Sequence, residues 1–93
     1  MSEESAARRM RVSVISPTEV GYEGEAESVV APAFDGRLGI LYGHAPMMVL
    51  LGTGDVVIRN GQHTETFTVA RGFLQVVDNE ISIMAEEVSG TNS

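Results

Sequence analysis

Met10, Val12 and Val14 share one face of an extended chain, with Arg11 and Ser13 on the other. Ser16-Pro17-Thr18-Glu19 stops that run as a turn, with Pro at its second position. Val20, Tyr22, Gly24 and Ala26 then alternate with Glu19, Gly21, Glu23, Glu25 and Glu27, which predicts a second strand with one acidic face. Ser28-Val29-Val30-Ala31 is a short β-rich run into Pro32, Phe34-Asp35-Gly36-Arg37 forms a turn, and Leu38-Gly39-Ile40-Leu41 is apolar again until Tyr42-Gly43-His44-Ala45-Pro46 interrupts it. Met47-Met48-Val49-Leu50-Leu51 reads as a buried strand ended by Gly52-Thr53-Gly54.

Two hairpins follow. Val56-Val57-Ile58 and Thr64-Glu65-Thr66-Phe67-Thr68-Val69 flank Asn60-Gly61, a strong hairpin signal, but a strict two-residue loop sets Val56 against Glu65, so the register stays open. With Asp78-Asn79 as the last loop, Val76 faces Ile81, Leu74 faces Ile83 and Gln75 faces Ser82, which sorts apolar from polar cleanly. No window carries an apolar stripe at helical spacing, and Gly, at 10 residues, punctuates the chain throughout. Short strands at this spacing predict an all-β sandwich or barrel. The organisation expected is a polar leader over residues 1–9, a β-domain over 10–87 and a polar tail over 88–93.

Length and charge narrow the function. A chain of 93 residues with 43% hydrophobic content makes one domain with a real core. Its net charge is −7, and its six cations are all Arg, three of them (Arg8, Arg9, Arg11) crowded near the amino end. That balance suits neither a phosphate backbone nor an anionic lipid surface, and does not argue against a protein partner. Cys is absent, so thiolate chemistry and sulfur-ligated metals are excluded. No apolar stretch approaches the length of a membrane span, and the amino end has acids before its bases and no apolar segment of a signal peptide. Membrane association, if any, runs through another subunit.

Candidate chemistry is sparse. His44 and His63 lie 19 residues apart, without the clustered ligands that a metal site needs. His44, between Gly43 and Ala45-Pro46, reads first as a loop residue whose ring pins a backbone carbonyl, and second as a partner contact; His63 beside a hairpin turn reads as exposed. Glu19, Glu23, Glu25 and Glu27 read as a solvated strand face rather than as an acid–base pair. Gly36-Arg37-Leu38-Gly39 precedes no helix and makes no phosphate cradle. Met47 and Met48 read mostly as core, with room for one of them to meet a partner. No catalytic residue, metal site or cofactor is expected.

The run from Ser16-Pro17-Thr18-Glu19 through Tyr22-Glu23-Gly24-Glu25, Ser28-Val29-Val30-Ala31-Pro32-Ala33 and Asp35-Gly36-Arg37-Leu38-Gly39-Ile40-Leu41-Tyr42-Gly43-His44-Ala45-Pro46 resembles the epsilon chain of F-type ATP synthases. So do Arg71-Gly72-Phe73-Leu74-Gln75-Val76 and Ile81-Ser82-Ile83-Met84-Ala85-Glu86. The resemblance covers residues 10–87, and the family's Gly-Glu-Leu-Gly-Ile-x-x-Gly-His-Ala-Pro is met at every named position but one. It implies a β-sandwich of two packed sheets with about ten short strands. It also implies a non-catalytic rotor subunit, one copy per complex, at the cytoplasmic face of the cell membrane. Such a subunit binds the gamma chain on one side and the c-ring on the other, and couples proton flow to ATP synthesis through two apolar patches with polar rims. The interface residues implied are Asp35, Gly36, Arg37, His44, Ala45, Pro46, Met47 and Met48, with the segment from Asp35 to Pro46 as the foot. The alternative is an unrelated β-sandwich interaction module.

Three departures matter. The acid that the family places in Gly-Glu-Leu-Gly, associated with contact to the c-ring loop, is Arg37 here, and the family's Ser-Gly-Gly reads Ala70-Arg71-Gly72. The two regulatory helices that commonly follow the domain, and that in some members bind ATP, are not in this sequence, so nucleotide sensing is not carried over. Residues 1–9 lack alternation and apolar anchors, and Met10 could itself serve as a start. Deleting them is expected to leave Tm within a few degrees; a large drop in thermal unfolding would mean that the leader pairs with a sheet edge.

Overall fold

Period-two alternation builds the whole domain, because each strand turns one apolar row towards a common interior. The computed structural model describes residues 8–18, 20–34 and 36–90. Glu19, Asp35, the leader through residue 7 and the last three residues lie outside them. Eight strands follow in order: β1 Met10–Ile15, β2 Val20–Ala26, β3 Ser28–Ala33, β4 Gly36–Leu41, β5 Met47–Leu51, β6 Gly54–Asn60, β7 His63–Val77 and β8 Glu80–Gly90. The count is eight rather than about ten, since β7 and β8 run unbroken where the sequence suggested shorter pieces. β8 also continues through Val88, Ser89 and Gly90, which the sequence reading put in a tail, and Val88 packs on the core.

The strands form one hydrogen-bonded sheet in the order β2-β1-β8-β7-β5-β3-β4, with β6 paired to β3 and β7. All neighbours are antiparallel except β1 and β8. This sheet folds over on itself to make the two layers of a sandwich. Tyr22 of β2 and Phe67 of β7 stand far apart in the strand order, yet their rings lie 5.5 Å apart, tilted by 56°. Burial and the nearby Glu65 carboxylate both push the Tyr22 hydroxyl above its ordinary value.

The fold line crosses three adjacent ribbons at one level. β5 and β6 pair with β7 in one continuous register, Leu51 opposite Gly72 and Gly54 opposite Val69, interrupted only at Gly52-Thr53. On its other side β7 pairs with β8 from Phe67↔Gly90 to Val77↔Glu80, and the ladder skips one place, between Ala70↔Glu87 and Gly72↔Ala85. Arg71 sits in that gap with φ 58°, a left-handed conformation that favours glycine. The next residue is Gly72, where a Cβ would strike the Met84 carbonyl oxygen and come within 2.7 Å of Ala85 Cα. β7 and β8 approach there as only a glycine permits.

The interior is wholly apolar: no polar residue among the described ones is buried. Val12, Val14, Val29, Ile40, Ile58, Leu74, Val76, Ile81 and Ile83 are its best-buried members, drawn from both layers. Each such side chain contributes about 1.5–3 kcal/mol on leaving water. The closing hairpin has the expected register, Leu74↔Ile83, Gln75↔Ser82 and Val76↔Ile81, and its loop residues Asp78 and Asn79 have φ 53° and 64°, as a type I′ turn requires. In the other hairpin the loop is Gly61-Gln62 rather than Asn60-Gly61, with Gly61 at φ 65°. That shift sets Val56 against Phe67 and Ile58 against Glu65, so two buried residues meet across the ladder.

The crease makes a paired test. Gly72→Ala is expected to cost about 3 kcal/mol through overpacking against backbone, a fall in Tm of roughly 12–24 °C for a domain of this size. Gly39→Ala, where nothing lies within 4 Å, serves as its control and should shift Tm little. Arg71→Gly should leave Tm unchanged or raise it, because relief of the left-handed backbone offsets the loss of two exposed ion pairs. Thermal unfolding of the three variants decides the matter: a neutral Gly72→Ala would mean that the two strands are not so close.

Candidate functional site: an exposed apolar face and two loop clusters

β5 was expected to be buried throughout, and it is not. Met47 packs against the core and Leu51 is buried, but Met48 and Leu50 on the opposite face are 64% and 71% exposed. An all-apolar strand at period two necessarily paints both faces of its sheet. The outward row continues across the neighbouring strands. Leu50 pairs with Phe73, Phe73 with Met84, and Met84 with Ile15, so one apolar line crosses β5, β7, β8 and β1. Phe73 and Ile15 are half-buried, while Met84 is 41% exposed. These residues, with Pro17 and Phe34, line a groove of about 610 Å³, whose polar members include Ser16, Arg71 and Glu86. Phe34, at 89% exposed, stands at its lip.

The same outer face changes character along the strands. One row on, Met48, Gln75, Ser82, Ser13 and Glu23 lie in line, and beyond them Arg11 sits between Glu80 and Glu25. One end of the face is apolar and the other charged. At the apolar end Arg71 donates through Nε to Glu86 Oε1 at 2.8 Å and through Nη2 to Glu87 Oε2 at 2.8 Å. The hydrogen bond that Arg71 donates to Glu86, then the charge of Glu87, raises the Arg71 pKa and keeps the guanidinium charged on the groove's rim.

The segment from Asp35 to Pro46 is not one loop. β4 runs through it, Ala33 pairing with Gly36 at one end and Ser28 with Leu41 at the other. Gly36 and Arg37 are exposed at the β3–β4 tip, beside the groove, whereas Asp35 falls outside the described residues. His44, Ala45 and Pro46 lie beyond the far end of β4, a strand length of about 17 Å away. Met47 and Met48 belong to β5, one facing in and one facing out. The sequence-derived residues therefore form two clusters, joined by the outer line of β5 from Pro46 through Met48 to Leu50.

The His44 cluster is built by local bonds. The His44 N–H donates to the Leu41 carbonyl at 3.1 Å, and its ring Nδ1 lies 2.8 Å from the Ala45 carbonyl oxygen, the backbone pin anticipated for this ring. The Gly43 N–H, at φ 86°, donates to Asn79 Oδ1 at 2.7 Å. His63 is exposed at the start of β7. Among the described residues no three His, Asp or Glu gather as a metal site would require, and no helix is long and apolar enough to cross a membrane. Ile15, Phe34, Leu50, Phe73 and Met84 were not singled out by sequence reasoning. The signal was present in Met47-Met48-Val49-Leu50-Leu51, which gives a sheet strand two apolar faces and only one core to bury them in.

Comparison with known proteins agrees with this architecture. The ATP synthase epsilon chain of Leptospira interrogans is 41% identical over 81 residues, covering 87% of this chain and 64% of that protein. The epsilon chain of Chlorobaculum tepidum is 34% identical over 86 residues, covering 91% of this chain and 98% of that protein. The chain thus spans less than two thirds of the Leptospira relative and nearly all of the Chlorobaculum one. By fold, it matches a chain of the Euglena gracilis mitochondrial ATP synthase OSCP/F1/c-ring assembly with TM-score 0.83 at 17% identity, covering 89% of this chain and 54% of that one. It also matches a chain of the Tetrahymena thermophila mitochondrial ATP synthase central stalk/c-ring with TM-score 0.72 at 19% identity, over 86% of this chain and 65% of that one. Residues 9–90 match the family described as ATP synthase, Delta/Epsilon chain, beta-sandwich domain, and the chain belongs to that family.

Proposed function

We propose that the chain is a non-catalytic central-stalk subunit of a proton-translocating F-type ATP synthase, held at the cytoplasmic face of the cell membrane through the complex. In this reading it joins the gamma chain to the c-ring, one copy per complex. The observation that carries it is the exposed apolar row Leu50-Phe73-Met84-Ile15 on a strongly acidic domain of this family. An uncovered apolar groove with a polar rim is the signature of a protein interface. The outer line Pro46-Met48-Leu50 and the row it leads into form the gamma-facing surface, and the β3–β4 tip at Asp35, Gly36 and Arg37 forms the foot towards the c-ring. In this reading the face holds the domain to the shaft and the tip meets the ring.

The face is tested by Leu50→Ser combined with Met84→Ser. Both side chains are already exposed, so Tm should stay within a few degrees, while affinity for the gamma chain should fall about 100-fold, from roughly 1.5 kcal/mol per apolar side chain. Unchanged affinity would remove the face from the interface, and failure of the unmodified chain to bind gamma at all would point to an unrelated interaction module.

At the foot, the guanidinium of Arg37 stands where the family has an acid. Placed against a cationic ring loop, a guanidinium would repel it, at a cost of several kcal/mol across an interface. Asp35, two residues away in the sequence, supplies the carboxylate instead. Asp35→Asn is expected to uncouple ATP-driven proton pumping in membrane vesicles, and Arg37→Gln to do little. The reverse result would assign the contact to Arg37 and a compensating acid on the ring; two silent variants would mean that the tip is not the foot. The 93-residue chain should bind no ATP at millimolar concentration, and calorimetric titration showing a saturable nucleotide site would overturn that.

A further inference from the structure

Asn79 does more than its turn demands. Both loop positions of the β7–β8 hairpin have positive φ, 53° at Asp78 and 64° at Asn79, and the second is where a type I′ turn prefers glycine. Asparagine is tolerated there but not required. Its backbone carbonyl accepts from the Arg11 N–H at 3.0 Å, which ties the turn to β1, and glycine would make that bond equally well. What glycine lacks is the amide oxygen. Asn79 Oδ1 accepts from the Gly43 N–H at 2.7 Å, across 36 residues of sequence.

That bond reaches the one segment at this end with no strand partners of its own. Tyr42 to Pro46 connects β4 to β5, and besides the Asn79 bond it is held by the short-range bonds of His44 to the Leu41 and Ala45 carbonyls. The Leu41 bond holds the start of the loop to the end of β4 and the Ala45 bond fixes its internal shape; among the described residues, the Asn79 bond is the hydrogen bond that ties the loop to the β7–β8 hairpin. Between them, Gly43, His44, Ala45 and Pro46 face Val77, Asp78 and Asn79 across a shallow cleft. Loss of that bond removes the loop's hydrogen-bonded tie across the cleft.

We propose that Asn79 is a positioning residue. Its side-chain oxygen clamps the Gly43 backbone so that His44, Ala45 and Pro46 are presented in one fixed pose at the end of the gamma-facing surface, and the inference rests on that assignment of the surface. Because the clamp is separable from the turn, two substitutions isolate it. Asn79→Gly keeps or improves the turn and deletes the acceptor; Asn79→Asp keeps an acceptor oxygen at the same reach.

The experiment reads three quantities on the full chain: Tm, hydrogen exchange at the Gly43 amide by NMR, and affinity for the purified gamma chain. Asn79→Gly should hold or raise Tm, speed Gly43 exchange about five-fold, the worth of one ordinary hydrogen bond, and weaken gamma binding by a similar factor. Asn79→Asp should restore both protection and affinity. A residue serving the turn alone would show neither loss with glycine. If Gly43 stays protected in Asn79→Gly, the clamp does not exist and the proposal is overturned. If exchange speeds up while gamma binding is unchanged, the loop is clamped but is no contact, which overturns the positioning role and leaves the stalk reading intact. If the unmodified chain does not bind gamma, the stalk reading itself has failed, and this role with it.

Discussion

The close approach of β7 and β8 at Gly72 is the constraint on which the rest of the domain depends. Strands this long, paired along their whole length, would otherwise form a flat two-sided ribbon that exposes half of its apolar residues. At this level β5/β6 loses its ladder at Gly52-Thr53, β7 enters a left-handed conformation at Arg71, and β7 and β8 come together where Gly72 has no side chain. All three ribbons can then fold over together, and the residues on the inside of the bend meet as one core. Because β7 and β8 belong to both layers, the layers are joined by covalent chain and not only by packing.

The crease also decides what remains uncovered. Folding the sheet buries one face, and the outer face keeps whatever the alternating positions carry. Over most of that surface they carry Glu, Ser, Gln and Arg, so the acidic row on β2 is simply the solvated side of an edge strand. Beside the crease they carry Ile15, Leu50, Phe73 and Met84 instead. No demand of the fold explains that row, since these side chains contribute little to the interior. Such a row suits the partner surface proposed above.

The parts of the fold legible in the sequence were those set by local rules. The Asp78-Asn79 turn and its apolar pairs were readable because loop chemistry and alternation agreed. The Asn60-Gly61 hairpin was found with its register open, since the glycine suits either place of a two-residue loop, and burial of Val56 against Phe67 decides for Gly61-Gln62. The length of β7 was hidden by Arg71-Gly72, which look like a break and are in truth a bend. For the site, His44 and its carbonyl pin were legible. The separation of Asp35–Arg37 from His44–Pro46 was not, because the glycines of β4, Gly36 and Gly39, read as turn punctuation rather than as strand. Nor was the apolar row, whose members come from four strands and become neighbours only through register.

Arg71 joins these threads. The family places glycine at this position, and a φ of 58° supplies the reason. Here a guanidinium stands there, and it spans the gap in the β7–β8 ladder by binding Glu86, the β8 residue opposite the break, and Glu87 beside it, which pairs with Ala70. Side-chain bonds thus substitute for the missing ladder pair while the backbone keeps its bend. Being exposed, they add little to stability. Their consequence is chemical rather than energetic: a charged, rigidly held triad now sits on the rim of the apolar groove, where glycine would leave a bare edge. In the proposed interface a partner covering Leu50, Phe73 and Met84 would also meet that rim. The substitution that looks like a local cost at the crease therefore places a charged group beside the apolar face.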